Sequence, residues 1–115
     1  MSAGRQSSLD LVCHFDGDEE IAMTAATALR KHAPAMLAAL HDAAERGDMA
    51  ELADAAHSLK GAISHFPAPE AYAALGELER VAAGDPSGLA LAMDRVDHEI
   101  ADFSQQIVAF LATRI

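Results

Sequence analysis

Residues 89–110 read LALAMDRVDHEIADFSQQIVAF. Leu89, Met93, Val96, Ile100, Phe103, Ile107 and Phe110 follow one another at alternating steps of four and three. A helix turns about 100° per residue, so these seven side chains share one stripe, a heptad-like seam over about three repeats. Such a stripe must be covered. A lone coiled-coil strand covers it with another chain, and a bundle covers it within one chain. The sequence before it favours the bundle, because it holds further amphipathic stretches joined by short loops.

Working back from this seam, Asp85-Pro86 is a start signal, a capping side chain followed by a first-turn proline, and Gly84 closes the preceding stretch. That stretch, Glu70 to Ala83, carries Ala71, Tyr72, Leu75, Leu78 and Ala82 on its apolar side. Pro67 and Pro69 separate it from a helix predicted from Met49 to about Phe66, whose apolar residues are Met49, Leu52, Ala56, Leu59, Ile63 and Phe66. Before it, Gly47 suits a helix C-cap and Asp48 an N-cap, with Glu51 placed to complete a capping box. A longer stretch runs from about Glu19 to Arg46, capped by Asp18. Pro34 lies inside it, which predicts a bend near His32 to Pro34 or two consecutive helices. Leu9, Leu11, Val12 and Phe15 suggest a short N-terminal helix that lids the bundle, with Cys13 packed in it as an inert thiol.

Composition agrees. Alanine dominates a hydrophobic content of 51%, while aromatics are only 4%, so the material for helices is abundant and that for strands scarce. The expected fold is all-α: an antiparallel four-helix bundle with a short N-terminal helix, one domain over residues 1–115. The net charge of −10 disfavours nucleic acid and anionic membrane surfaces and suits a basic protein partner. Cys13 is the only cysteine, so no internal disulfide forms, and neither a signal-peptide core nor an apolar run of membrane-spanning length is present. These features point to the cytoplasm.

Among six histidines, His57 stands out by its position. With Leu52 set at zero on the helical wheel, Ala56, Leu59 and Ile63 fall within about 40°, and His57 lies at about 140°. It should therefore face solvent. Ala50, Ala53, Gly61 and Ser64 surround it, all small. A helical glycine costs roughly 1 kcal/mol relative to alanine, which suggests that Gly61 makes room for something to approach closely. Lys60, at the edge of the same face, offers a free ammonium. A neutral imidazole, with an unperturbed pKa near 6.5, is a good nucleophile around pH 7. Phosphoryl transfer asks mainly for in-line positioning and charge stabilisation, so an exposed histidine beside a cation suffices for half of such a site. The other half would come from a partner.

The run Ala56-His57-Ser58-Leu59-Lys60-Gly61-Ala62 resembles the A-H-x-L-K-G-S/A signature of histidine-containing phosphotransfer (HPt) domains of bacterial two-component phosphorelays. The segment Phe15 to Glu20 and the turns Gly47-Asp48 and Gly84-Asp85 extend the likeness over roughly residues 9 to 112. The resemblance implies that His57 is phosphorylated, that Lys60 favours the phosphoryl group, and that Gly61 permits docking of a response-regulator receiver domain. It places Glu79 where some members have a polar residue that hydrogen-bonds the other ring nitrogen, the alternative being a solvated surface carboxylate; Ser64, beside His57 on the helical wheel, is a further supporting candidate. The sequence departs from the pattern at Pro67, where the family has glycine.

The expected function is a phosphoryl carrier without kinase activity of its own, since no P-loop or G-x-G-x-x-G is present. The implied partners are receiver domains and hybrid sensor histidine kinases. No cofactor of its own is expected, and Mg²⁺ would belong to the partner receiver. The histidines His14, His32, His41, His57, His65 and His98 include no H-E-x-x-H motif and no pair four residues apart, so no metal site is expected, and His65 reads as surface or capping. Met1 and the single-domain length suggest a free-standing carrier, and the resemblance implies a monomer. The rival reading is a docking module of the same fold that binds receivers or a kinase and carries no phosphate.

Overall fold

The computed structural model describes residues 18–112. These residues form four α-helices and one 3₁₀ turn: α1, Glu19–Arg46; α2, Met49–Ile63; α3, Pro69–Ala83; the turn Pro86–Gly88; and α4, Leu89–Ala112. No strand occurs among the described residues, so the chain is all-α there. The expected N-terminal helix, with Cys13 and His14, lies outside them.

Local sequence sets each boundary. The Asp18 side chain accepts a hydrogen bond from the Ile21 N–H at 3.0 Å and opens α1. Gly47, at φ 69°, ends it in the left-handed region that glycine adopts without strain. Asp48 opens α2 by accepting from the Glu51 N–H at 3.1 Å. The capping box is completed differently from the sequence expectation: the Asp48 N–H donates to the Ala43 carbonyl at 3.0 Å, tying the new helix to the old. Arg46 adds ion pairs to Asp42 and Asp48 across this joint.

Two boundaries correct the sequence reading. Helix α1 is continuous through Pro34, so the alternative of two consecutive helices does not hold. Pro34 is exposed, and buried residues on either side (Ala26 and Leu29 before, Leu40 and Ala43 after) anchor both halves to the same core. Helix α2 ends at Ile63, three residues before Phe66. The Ser64 N–H and Oγ both donate to the Gly61 carbonyl, which closes the helix one turn early. Phe66 still reaches the core from the connector and packs edge-on against Phe103 of α4, with ring centroids 5.6 Å apart. Pro67 fits the connector because no left-handed backbone is used there. The Ala68 N–H bonds back to the Phe66 carbonyl at 2.9 Å, and Pro69 takes the first position of α3.

Helix α1 packs on α2, α2 on α3, α3 on α4, and α4 returns to α1. The enclosed core holds Leu40, Leu52, Leu59, Ile63, Leu75, Leu78, Val96 and Phe110, and no charged or polar side chain is buried among the described residues. The seam of α4 is buried as expected from Met93 to Phe110, with Leu89 half-buried at its start. His41 of α1 and Asp97 of α4 hydrogen-bond at 2.7 Å and fasten the return contact at the surface.

Candidate functional site

Helices α2 and α3 carry the site between them. Leu52, Ala56, Leu59 and Ile63 turn one face of α2 into the core, which leaves His57 on the other, its side chain 71% exposed. Glu79 comes from the facing helix α3, four residues before its end at Ala83, next to the buried Leu78. Its Oε2 lies 3.0 Å from His57 Nδ1, and its Oε1 lies 2.7 Å from Lys60 Nζ. One carboxylate thus holds an imidazole and an ammonium, an oxygen for each.

The electrostatics follow from this bridge. The hydrogen bond from Lys60, its attraction and the contact with His57 hold the Glu79 carboxyl below the usual carboxylate range, against a partial desolvation that opposes them. The same hydrogen bond raises Lys60 above the usual lysine value. At neutral pH Glu79 is therefore ionised and can only accept. A neutral His57 imidazole facing this acceptor must donate from Nδ1, which leaves Nε2 as the ring nitrogen with a lone pair, on an exposed ring.

Lys60 was expected to present a free ammonium. In the structure it is ion-paired and its side chain is only 21% exposed. The chance that a lysine three residues after an exposed histidine finds a carboxylate on the next helix is invisible to a single-helix reading. Gly61 is exposed, and a Cβ built on it would meet nothing within 4 Å, so nothing inside this chain demands glycine there. Ser64 is placed one turn beyond Gly61, but its hydroxyl donates to the Gly61 carbonyl at 2.6 Å and serves the helix terminus. Ala50 is exposed and Ala53 half-buried, leaving the surface around His57 low.

Tyr72 corrects the sequence reading outright. It was placed on the apolar side of α3, yet it is 45% exposed, and its ring lies under the Lys60 ammonium, 5.5 Å from Nζ to the centroid. The signal was present. Ala74 and Val81 are buried along with Ala71, Leu75, Leu78 and Ala82. Including them turns the centre of the stripe away from Tyr72 and puts Tyr72 and Glu79 within about 20° of each other on the wheel.

His65 is exposed on the turn after α2, where it borders a groove with His32, Met36 and Phe66, away from the bridge. No cluster of potential metal ligands occurs among the described residues, nor is any helix there long and apolar enough to cross a membrane. The apolar groove between α1 and α4, about 360 Å³ and lined by Leu29, Leu37, Ile100 and Ile107, does not border His57. The site is a surface, suited to another macromolecule rather than to an enclosed small molecule.

A family model described as Hpt domain matches residues 25–108, well over half of the chain. The match is narrower at both ends than the resemblance read from the sequence. No curated protein matches the chain, and no solved structure does.

Proposed function

We propose, because the chain belongs to the Hpt domain family, that His57 takes a phosphoryl group from one partner and returns it to another. Hpt domains carry out histidine phosphotransfer in phosphorelays, working with receiver domains and kinases. The finer assignments are our reading of this chain. The ring of helix contacts supports an antiparallel four-helix bundle, and a single domain acting as a cytoplasmic monomer is the simplest form of the carrier.

The single observation that carries the assignment is the Glu79 bridge, which holds His57 by Nδ1 and leaves Nε2 outward. In the forward step the Nε2 lone pair attacks the phosphorus of an acyl phosphate on a receiver aspartate. The N–P bond forms, the P–O bond to the aspartate breaks, and the aspartate leaves as a carboxylate. No proton need move. The ring gains positive charge while Nδ1–H stays against Glu79, whose negative charge offsets it. Lys60 offers its ammonium to the phosphoryl oxygens, and Gly61 lets the partner surface come close. The return step is the reverse, onto another receiver's aspartate. Mg²⁺ would be held by the receiver, and this chain would contribute no cofactor.

The test is transfer from phosphorylated receiver domains, with Mg²⁺, to wild type and His57→Gln. Acid-labile, base-stable label on wild type alone supports the carrier. A folded wild type that binds receivers without taking label refutes it and leaves the docking module.

A further inference from the structure

We propose that Tyr72 is a positioning residue for Lys60, its ring face holding the ammonium on the side that Glu79 leaves open; the proposal rests on the phosphoryl-carrier reading above. Tyr72 and Glu79 stand seven residues apart on α3, two turns along the same face. Lys60 reaches across from α2 and meets both, Glu79 at 2.7 Å and the Tyr72 ring at 5.5 Å. Between them on that face of α3 is Gly76, where an added Cβ would find nothing within 4 Å. No side chain there confines Lys60 in the middle, so the two ends do.

The two contacts differ in kind. The Glu79 carboxylate binds the ammonium strongly and carries a full negative charge, which competes with an incoming phosphoryl group and repels it. The aromatic face attracts a cation through its quadrupole and carries no net charge. It supports the ammonium of a side chain that is 21% exposed, without opposing the phosphoryl group. When Lys60 turns from Glu79 toward the phosphoryl oxygens, the ring is the contact it can keep. The ring itself is 45% exposed and not needed to fill the core, which is formed on that helix by Ala71, Ala74, Leu75 and Leu78. A structural role alone gives this tyrosine little to do.

The experiment compares wild type, Tyr72→Phe and Tyr72→Leu, each also in a Lys60→Ala background. Single-turnover transfer from a phosphorylated receiver domain is followed over a range of receiver concentrations and across pH, and thermal midpoints are recorded. A cation–π contact at an exposed site corresponds to about a two- to fivefold change in rate. Tyr72→Leu should lower the maximal rate by that factor, leave the half-saturating receiver concentration unchanged, and move the alkaline limb of the pH profile to lower pH. Tyr72→Phe, which keeps the ring but not the phenol, should match the wild-type rate at neutral pH. In the Lys60→Ala background Tyr72→Leu should change nothing further. An effect confined to half-saturation would make Tyr72 a partner contact and overturn the proposal, as would an undiminished effect without Lys60 or a failure of phenylalanine to rescue. A wild type that takes no label would sink the carrier reading itself, and this proposal with it; labelled wild type with unaffected Tyr72→Leu would sink this proposal alone.

Discussion

Replacing Gly61 by alanine separates what the fold wants at that position from what the partner wants. A Cβ there meets open space, and the backbone of Gly61 is helical, so alanine fits without strain. In a helix interior the exchange is worth about 1 kcal/mol in favour of alanine. Gly61 lies in the last turn of α2, two residues before Ile63, where roughly half of that is expected. About 0.5 kcal/mol corresponds to a rise of roughly 2–4 °C in the thermal midpoint of a domain this size. Transfer should move the other way. A methyl group on the approach surface displaces the incoming phosphorus, and a misplacement of about 1 Å is enough for a loss of up to ~100-fold in rate. Scanning calorimetry and single-turnover transfer on the same preparation give the two numbers. Gly76→Ala, at a true helix interior with equally open space, calibrates the stability scale at about 1 kcal/mol. A variant at position 61 that is less stable refutes the claim that the space is open. One that is more stable and transfers at the wild-type rate refutes the claim that glycine serves the approach of a partner.

Three further outcomes are expected. Glu79 lies below the usual carboxylate range and Lys60 above the usual lysine value. The stabilisation from Glu79 is therefore present above an ordinary glutamate pKa and lost as pH falls through its lowered value; that from Lys60 is present below an ordinary lysine pKa and lost as pH rises through its raised value. The difference in thermal midpoint between wild type and Glu79→Gln should accordingly be flat from about pH 5 to 10 and shrink outside that window, and a difference that grows on acidification would contradict the bridge. A double-mutant cycle on His41 and Asp97, both about two-fifths exposed, should give a coupling under ~1 kcal/mol by chemical denaturation. Leu59→Ala, beneath the His57 face and fully buried, should cost about 2–5 kcal/mol of stability by the same measurement.

The helices were legible because their signals are local and repeated. The α4 seam, the Asp18 and Asp48 caps and the Gly47 stop each needed only a few neighbouring residues. The early end of α2 was not legible, since it depends on the Ser64 hydroxyl choosing the Gly61 carbonyl while Phe66 keeps the apolar spacing going. Continuity through Pro34 was equally hidden: a missing hydrogen bond is visible in the sequence, whereas the burial on both sides that outweighs it belongs to the assembled core. At the site, the exposure of His57 came from one helical wheel. Glu79 entered only through the family likeness, and the pairing of Lys60 and the exposure of Tyr72 depend on how α3 is rotated against α2. The rotation of α3 decides whether this tyrosine faces the core or lies under an ammonium.

If His57 carries the phosphoryl group as proposed, the Glu79 bridge also bears on how long it would keep that load. Before transfer, the charges of Lys60 and Glu79 cancel. A phosphoryl group on Nε2 puts about two negative charges on its oxygens and one positive charge on the ring, a net gain of about one negative charge on a chain whose net charge is already −10. Lys60 cannot fully serve both anions. Glu79 would offset the ring charge, but the phosphoryl oxygens would have to share Lys60 with it, so the loaded form would be stabilised only in part and neither direction of exchange would be strongly downhill. A reservoir would bury its charge among several cations and hold it. An arrangement with one shared lysine is a relay point, and its occupancy should follow the ratio of phosphorylated to unphosphorylated partners.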